Sequence, residues 1–386
     1  MIRSIHILIV VGLLAIAAKT SAQQPVNTYS TKNYWTPSTG PFSPVVSQER
    51  RITFRIKAPK ASVVQLLFGE WDIQPQSMTK DSTGTWSITT GATDPGIYSY
   101  VFIVDGIKTL DMANPIVKIG TELYGSIVEV PGSPARFDEL QSVPHGITAI
   151  LTYTSTSLHK LRNLQVYLPP DYFVQSTRKY PVLYLRHGGG DNESSWGQES
   201  GRAPVILENL IAHKEAVPMI IVMSNGLTDG SWAGGSTKEG MLQLEQELLK
   251  DIIPLIEKQY RVIANKANRA IAGLSMGGGQ AYIMGLRNLD TFSWIGEFSA
   301  GILSDPAFDI NERIPGIYEQ ASIINKQLKL LWIGCGTDDP RIAGHLQLAT
   351  TLKQKGIQYE AYNIPGGHEW KVWREELHLF LPKLFR

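Results

Sequence analysis

The segment on which the predicted fold rests is Arg269-Ala-Ile-Ala-Gly-Leu-Ser-Met-Gly-Gly-Gly279. A short apolar run predicts a strand up to Ala272, and a helix-compatible run begins at Gln280. Between them stands Gly-x-Ser-x-Gly, in which the serine occupies the apex of a sharp, strained turn and the flanking glycines avoid collisions. Such a turn presents the hydroxyl above the sheet, and the N–H groups of the following helix face developing negative charge. We therefore predict that Ser275 is a nucleophile.

Strands and helices alternate on both sides of this segment. Two runs, 147–154 and 163–168, predict a leading antiparallel pair of strands. Continuous apolar strands are predicted at 181–185, 219–223, 270–272, 328–333 and 358–362, and helices at 241–259 and 345–355. Unbroken apolar runs are typical of strands that are covered on both faces. Residues 146–386 are therefore predicted to form a single doubly wound α/β domain with a mostly parallel sheet.

In such sheets the reactive groups gather at the carboxyl ends of strands. The motif Gly336-Thr-Asp-Asp339 follows one predicted strand, and a carboxylate there can fix the tautomer of an imidazole. Asp339 is the preferred candidate and Asp338 the alternative. His368 follows the last strand in a glycine-flanked loop. The order serine, acid, histidine is that of α/β-hydrolases, so we predict that Ser275, Asp339 and His368 form a triad.

A further loop, His187-Gly-Gly-Gly190, follows the predicted strand 181–185. Bare backbone lets a substrate carbonyl approach closely, so the N–H groups of Gly189 and Met276 are predicted to bind the tetrahedral oxyanion. His187 is interpreted as a brace for this loop.

Two tryptophans stand in loops near these motifs. Trp196 comes after the glycine loop, and Trp232 comes after Asn225-Gly226. Both are candidates for the wall of an aromatic acyl pocket, with ordinary loop packing as the equal alternative.

Composition excludes several classes of function. The 386 residues are 43% hydrophobic and 18% charged with a formal net charge of +1, which indicates a globular protein without an electrostatic footprint for nucleic acid. No Cys/His cluster, phosphate-binding loop or dinucleotide fingerprint is present, so neither cofactor nor metal is expected. Glu245, Glu247 and Asp251 lie along one predicted helix and are interpreted as a solvated face.

The N-terminus has the pattern of a secretory signal. Within residues 1–22, Arg3 precedes an apolar run, and Thr20-Ser-Ala22 supplies a small-residue cleavage site. The apolar run is too short for an ordinary membrane span. We therefore expect export to a bacterial periplasm or beyond, with no membrane attachment after signal removal. Residues 23–40 are polar and form a predicted tether.

Short strands with turn signals between them characterise residues 41–132. Alternating or β-rich runs occur at 51–57, 62–68, 85–89, 96–104 and 126–130. This spacing predicts a small all-β, immunoglobulin-like sandwich. Residues 133–145, rich in turn formers, are the predicted linker to the α/β domain.

The sandwich segment contains the motifs Ile52-Thr-Phe54, Phe68-Gly-Glu-Trp71, Gly84-Thr-Trp86 and Gly96-Ile-Tyr-Ser-Tyr100. On these motifs it resembles the immunoglobulin-like carbohydrate-binding module family 48. Glycogen-binding members carry a second tryptophan after an Asp-Gly turn, where this chain has Ile107 and Lys108. The resemblance therefore implies a module that holds a plant polysaccharide or packs beside the catalytic domain.

The α/β segment contains the motifs Tyr180-Pro-Val-Leu-Tyr-Leu185, His187-Gly-Gly-Gly190, Ile253-Pro-Leu-Ile-Glu-Lys-Gln-Tyr-Arg261, the Ser275 segment, Gly334-Cys-Gly-Thr-Asp-Asp339 and Gly366-Gly-His-Glu-Trp370. On these motifs it resembles the esterase D superfamily and, within it, carbohydrate esterase family 1, the feruloyl esterases. The resemblance implies a serine esterase that hydrolyses hydroxycinnamoyl (feruloyl) esters on plant hemicellulose. The expected partners are feruloylated arabinoxylan or its oligosaccharides.

Three alternatives stay open on the sequence. One is an acetyl xylan esterase or broad carboxylesterase, which shares the chemistry with another acyl group. Another is a carbohydrate-binding protein with a vestigial hydrolase domain. The third is a transacylase of the mycolyl-transferring branch of the same superfamily.

Overall fold

The structure, a computed structural model, describes residues 42–70, 73–304 and 309–386. The predicted signal (1–22), the predicted tether (23–40) and Trp71 lie outside the described residues. Residues from Pro41 to Arg386 belong to one compact unit.

The first part of this unit is all β, as predicted. A four-stranded sheet has the order β1-β2-β6-β5, and a six-stranded sheet has the order β4-β3-β7-β10-β9 with β8 paired to β7. The strands are β1 (Val45–Val46), β2 (Arg51–Lys57), β3 (Val64–Phe68), β4 (Gln76–Ser77), β5 (Thr79–Lys80), β6 (Thr85–Ala92), β7 (Gly96–Val104), β8 (Ile107–Thr109), β9 (Val117–Ile119) and β10 (Leu123–Val130). The sheets share a core that contains Phe54, Leu66 and Phe102, because alternate residues of each strand point inward.

An eight-stranded sheet follows, with the order β11-β12-β14-β13-β15-β16-β17-β18. Its strands are β11 (Ile147–Ser155), β12 (Lys160–Leu168), β13 (Val182–Arg186), β14 (Ile220–Ser224), β15 (Arg269–Leu274), β16 (Trp294–Phe298), β17 (Leu330–Gly336) and β18 (Glu360–Ile364). The predicted antiparallel pair is confirmed, since β11 pairs with β12 and β12 runs antiparallel to β14. Strands β13 to β18 pair in parallel. The α/β class is therefore confirmed.

Helices cover both faces of the large sheet. They are α1 (Ala203–Ala212), α2 (Lys238–Glu247), α3 (Ile253–Gln259), α4 (Ser275–Arg287), α5 (Ile310–Arg313), α6 (Ala321–Gln327), α7 (Ile342–Gln354) and α8 (Trp370–Phe380), with a π-helical turn at Leu248–Ile252 and 3-10 turns at Lys266–Asn268, Gly301–Ser304, Ile317–Gln320 and Leu381–Lys383. In β13, Val182 and Tyr184 pack into the core on one face, and Leu183 and Leu185 pack into the core on the other. This two-sided burial explains why the strands are apolar without interruption.

One central strand was not predicted. Strand β16 contains Gly296 and Glu297, which interrupt its apolar pattern. A Cβ atom at Gly296 would lie 2.9 Å from the ring of Phe380, so the missing side chain makes room for helix α8. The buried Glu297 carboxylate accepts a hydrogen bond from the Ala300 N–H (3.1 Å), and His345 Nδ1 lies 3.1 Å from its other oxygen. Tertiary partners therefore stabilise a strand that local propensity does not reveal.

The expectation of a solvated acidic face was wrong for two of its three residues. Glu247 is fully buried and accepts a hydrogen bond from the Tyr153 hydroxyl (2.8 Å), with Arg162 Nε 2.8 Å away. Glu245, also buried, accepts a hydrogen bond from the Asn288 amide (2.7 Å). The edge strand β11 and its neighbour β12 supply Tyr153 and Arg162, so the helix face that would meet solvent in isolation is covered.

Ionic contacts hold the sandwich and the connecting segment against the α/β part. Arg202 at the start of α1 pairs with Glu129 of strand β10 at 2.7 Å. Arg374 of α8 donates to Asp138 (2.8 Å) and to the Ser200 carbonyl (2.6 Å). Asp138 lies within the predicted linker, 133–145, and is only 3% exposed. The buried Arg374–Asp138 pair fixes the connecting segment to helix α8, because an unpaired charge there would be costly.

We expect Arg374→Ala to lower the free energy of unfolding by about 3 kcal/mol, because it leaves the buried Asp138 carboxylate with one guanidinium fewer. Urea unfolding of the full chain measures this loss. Lys371→Ala, at an exposed position of the same helix, is the matched control and should change stability little. A loss below about 1 kcal/mol for Arg374→Ala would contradict this account of the interface.

Candidate active site

The turn at Ser275 has the strained geometry that its motif predicts. Strand β15 ends at Leu274, helix α4 begins at Ser275, and Ser275 has a φ of 50°. A Cβ atom at Gly277 would lie 2.3 Å from the His187 carbonyl oxygen, and one at Gly273 would lie 2.5 Å from the Gly277 carbonyl oxygen. Neither position therefore has room for a side chain, and the serine alone projects from the turn.

The three residues predicted for the triad are brought together by the fold. His368 Nε2 lies 3.0 Å from the Ser275 Oγ, and His368 Nδ1 lies 2.7 Å from an oxygen of Asp339. Asp339 follows strand β17 and His368 follows strand β18, so each stands at a carboxyl end of the parallel sheet. The alternative acid, Asp338, is exposed, and its N–H donates to the Gly366 carbonyl at 2.9 Å. Asp339 is thus the carboxylate that contacts the imidazole.

The charges around His368 favour a neutral ring beside an ionised acid. Burial lowers the pKa of His368 below its ordinary value, and this effect outweighs the attraction of Asp339. Burial alone would raise the pKa of Asp339, but its hydrogen bond and charge interaction with His368 and the N–H of Arg341 lower it overall. The Arg341 N–H donates to Asp339 at 2.9 Å. Since the carboxylate accepts the Nδ1 proton, Nε2 is free to accept the proton of the Ser275 hydroxyl.

The glycine loop lies directly against the nucleophile turn. A Cβ atom at Gly188 would be 3.3 Å from the Ser275 Cβ. The Gly190 N–H donates to the Trp232 carbonyl at 2.8 Å, whereas within the described ranges no acceptor is recorded for the Gly189 N–H. Met276 is the second residue of α4, and the first N–H groups of a helix have no intrahelical partner. Met276 follows Ser275 directly, and Gly189 lies in the loop that packs against the serine, so their role as oxyanion donors stays a prediction that this arrangement permits.

His187 braces this loop from below. Its Nε2 accepts a hydrogen bond from the Gly226 N–H at 2.8 Å, so its Nδ1 carries the proton and donates to the Gly188 carbonyl at 2.8 Å. The ring is buried, and burial lowers its pKa to about 4. A neutral imidazole therefore links the strand β13 loop to the strand β14 loop.

Only one of the two candidate tryptophans borders the site. Trp232 is 59% exposed, and its ring lies over Gly189, where a Cβ atom would be 2.9 Å away. Trp196 is 1% exposed; its Nε1 donates to the Arg186 carbonyl at 3.0 Å, and its ring meets Trp370 edge-on. The prediction that Trp196 lines an acyl pocket is therefore wrong, because the loop folds back and buries the ring in the core.

A cleft of about 470 Å³ opens at Ser275. Aromatic, apolar and charged side chains share its wall. The lining residues are Trp232, Ser236, Met241, Ser275, Met276, Gly301, Ile302, Asp309, Glu312, Arg313 and Arg341. The site can thus receive a substrate with both an apolar and a polar portion.

Several neighbours of the site were missed by sequence reasoning. Arg341 orients Asp339, and Trp373 packs edge-on against the His368 ring, with centroids 4.8 Å apart. The first has a local signal, because an aspartate often accepts the N–H two residues on. Thr121 and Tyr124 of the sandwich also contact the glycine loop, and no motif marks them.

Two negative findings apply to the ranges 42–70, 73–304 and 309–386. In them, no group of three or more His, Cys, Asp or Glu side chains could hold a metal ion. No helix there is long and apolar enough to cross a membrane.

An α/β-hydrolase sheet with Ser275, His368 and Asp339 at its carboxyl edge defines the class of fold. The family model named Esterase, described as "Putative esterase", matches residues 155–384. The chain therefore belongs to this esterase family.

Similar proteins agree with this assignment. The endo-1,4-beta-xylanase/feruloyl esterase of Xylanibacter ruminicola is 32% identical over 354 residues, which are 89% of this chain and 46% of that relative. The chain thus spans about half the length of this relative. A ferulic acid esterase of known structure is 28% identical with a TM-score of 0.55, covering 62% of this chain and 97% of that one. The enterobactin esterase of Shigella flexneri shares the fold. It is 20% identical with a TM-score of 0.62, and the match covers 86% of this chain and 92% of that chain.

The burial of His187 makes stability depend on pH. The ring stays neutral in the folded protein down to about pH 4, whereas the unfolded chain binds the proton near pH 6.5. The unfolded state binds more protons between these values, so stability rises with pH across this window and is lost on acidification. From the shift, His187 should account for a loss of about 3 kcal/mol between pH 6.5 and 4.

Urea unfolding at several pH values between 7.5 and 4 tests this expectation. His187→Gln removes the titrating group and should show a smaller acid-induced loss than wild type. His213→Gln, at an exposed histidine, is the control and should follow wild type. Equal acid-induced losses in wild type and His187→Gln would contradict the assignment of the window to this ring.

Proposed function

We propose that this chain is a serine esterase that hydrolyses hydroxycinnamoyl (feruloyl) esters on plant cell-wall hemicellulose such as arabinoxylan. The observation that carries the proposal is the hydrogen-bonded series Ser275, His368, Asp339, which opens onto a cleft bordered by an exposed tryptophan. The substrate class is taken from the similarity to the xylanase/feruloyl esterase and to the ferulic acid esterase.

In the first half-reaction the ester carbonyl carbon is attacked by the Ser275 Oγ. His368 Nε2 takes the hydroxyl proton as the C–O bond forms, and Asp339 holds the imidazolium that results. The carbonyl oxygen becomes an oxyanion that accepts hydrogen bonds from the Met276 and Gly189 N–H groups. Losing one such donor typically costs about a hundredfold in rate.

Collapse of the tetrahedral intermediate breaks the bond to the sugar oxygen. His368 returns its proton to that oxygen, so the sugar leaves as an alcohol and the acyl group remains on Ser275. A water molecule then repeats the sequence, with His368 as its base, and releases the free acid and the serine hydroxyl. No external oxidant, reductant or metal ion enters this balance.

The cleft wall supports an aromatic acyl group. Trp232 places an exposed indole ring beside the glycine loop, and aromatic rings attract planar groups through offset stacking or edge contacts. Arg341 and Glu312 give the same cleft polar edges suited to hydroxyl-bearing groups. The sandwich is proposed either to hold a plant polysaccharide or simply to pack beside the catalytic domain, and residues 1–22 are proposed to direct export.

A panel of esters tests the chemistry and the acyl group together. Wild type should hydrolyse methyl ferulate faster than a short acetyl ester, and Ser275→Ala should lower the rate by about 10⁴-fold or more with an unchanged thermal midpoint. The matched control is Ser322→Ala, which removes an exposed serine hydroxyl outside the cleft and should keep the wild-type rate.

The outcomes separate the alternatives. Preference for acetyl esters would replace the feruloyl proposal with an acetyl xylan esterase. Polysaccharide binding without Ser275-dependent turnover of any ester would overturn the enzyme in favour of a vestigial domain.

The acid limb of the pH–rate profile should report His368. Because burial lowers the pKa of this imidazole, kcat/KM for methyl ferulate should fall on acidification with an apparent pKa below 6.5. The sign follows from the mechanism, which needs the neutral ring. Above this limb, between about pH 7 and 8, kcat/KM should be flat. An apparent pKa above 7 would contradict the proposed role of burial.

A further inference from the structure

The sandwich domain contacts the glycine loop of the α/β part at the carbonyl oxygen of Gly190. The contact is made by the end of the β9–β10 hairpin, residues 118–124, which we call the β9–β10 turn and which includes the adjoining strand residues. The Thr121 N–H donates to the Gly190 carbonyl oxygen at 2.7 Å. The hydroxyls of Thr121 and Tyr124 lie 3.0 Å and 2.9 Å from the same oxygen, and 3.1 Å from each other. Three donors of the sandwich therefore converge on one carbonyl oxygen.

The rest of the β9–β10 turn continues the contact along the loop. The Asn192 amide donates to the Gly120 carbonyl at 3.1 Å, and Lys118 pairs with the buried Asp191 carboxylate at 3.7 Å. Gly120 has no room for a side chain, since a Cβ atom there would lie 2.3 Å from the Gly190 carbonyl oxygen. The two backbones thus approach as closely as neighbouring strands, which fixes their relative position.

Gly190 is held from both sides. Its N–H donates to the Trp232 carbonyl at 2.8 Å, and its carbonyl oxygen faces the β9–β10 turn. A Cβ atom at Gly190 would lie 2.3 Å from the Tyr124 hydroxyl and 2.5 Å from the Trp232 Nε1. The two peptide groups that flank Gly190 are therefore fixed, and the Gly189 N–H belongs to the peptide group immediately before them.

The sandwich also contacts the loop that carries the histidine. The Glu70 carboxylate accepts a hydrogen bond from the Trp370 N–H at 2.9 Å, two residues after His368. Lys118 lies 5.7 Å from the centroid of the Trp370 ring, so the same lysine reaches both loops. The sandwich thus supports the two loops that stand on either side of Ser275.

We propose that the β9–β10 turn positions the oxyanion-binding N–H of Gly189, with Thr121 and Tyr124 as positioning residues for ester hydrolysis. This inference rests on the proposed function. A hydrogen-bond donor is most effective when it is fixed before charge develops, so loss of the support should weaken binding of the transition state more than binding of the substrate. The sandwich would then assist turnover of a small ester that carries no sugar.

The experiment compares full-length variants on methyl ferulate, which has no sugar that a carbohydrate-binding surface could bind. Tyr124→Phe and Thr121→Val each remove one hydroxyl. The double variant leaves only the Thr121 N–H at the Gly190 carbonyl. We expect the double variant to lower kcat about tenfold with KM within about twofold of wild type. Tyr98→Phe and Thr53→Val, which remove sandwich hydroxyls that bond to Asp94 and Thr89, are the controls and should keep wild-type kcat.

Phenylboronic acid supplies a second readout. Its boron accepts the Ser275 Oγ as a fourth ligand, the hydroxyl proton passes to His368, and the tetrahedral anion places an oxygen at the oxyanion site. Its inhibition constant should rise in the double variant by about the same factor as kcat falls, because both report the same donors.

A fall in kcat of less than about threefold in a folded double variant, or a loss seen only on polymeric substrate, would overturn the inference. If the double variant does not fold, Tyr124→Phe alone decides, with a fall of about threefold expected and wild-type kcat overturning the inference. Failure of the proposed function looks different: wild type would then show no Ser275-dependent hydrolysis of methyl ferulate at all.

Discussion

The nucleophile turn can form only because two strand ends meet with no side chain between them. Gly277 lies so close to the His187 carbonyl that a Cβ atom would come within 2.3 Å of its oxygen. This contact joins the first turn of α4, which directly follows β15, to the residue after β13, and it sets where Ser275 stands relative to the glycine loop. The positive φ of Ser275 is stable in this setting because packing on both sides excludes alternative backbone conformations. His368 and Asp339 then meet Ser275 at the position that this contact sets.

Burial then determines which groups carry charge. His187 and His368 are both held neutral by desolvation, yet they serve different ends. Both ring nitrogens of His187 are hydrogen-bonded to backbone groups, whereas in His368 one nitrogen contacts Asp339 and the other contacts the Ser275 hydroxyl. The contrast shows that the partner of the second nitrogen, and not burial itself, separates a structural histidine from one poised to accept a proton.

Much of this arrangement could be predicted from the sequence because the signals are local. Apolar runs marked the strands β13, β14, β15 and β17, and short motifs after the strands marked Ser275, Asp339 and His368. The failures have a common cause in tertiary context. Strand β16 depends on His345 and Phe380 and the buried Glu247 on Tyr153, all far along the chain, and Trp196 is buried by the return of its own loop. The contact of Tyr124 with Gly190 joins residues that are 66 positions apart, so no local sequence pattern predicts it.

Hydrogen bonds to the carbonyl of Gly190 join the sandwich to the α/β part, two segments that the sequence pattern predicts as separate domains. Modular enzymes are often imagined as cassettes, in which an accessory domain is exchanged for another while the catalytic unit is left untouched. Here the sandwich contributes the atoms that contact the glycine loop on the side of Gly190 and Asn192. A chain whose sandwich were replaced by an unrelated domain would also lose the contacts of Thr121 and Tyr124 with the Gly190 carbonyl. The sandwich therefore cannot be exchanged without changing the surroundings of this loop.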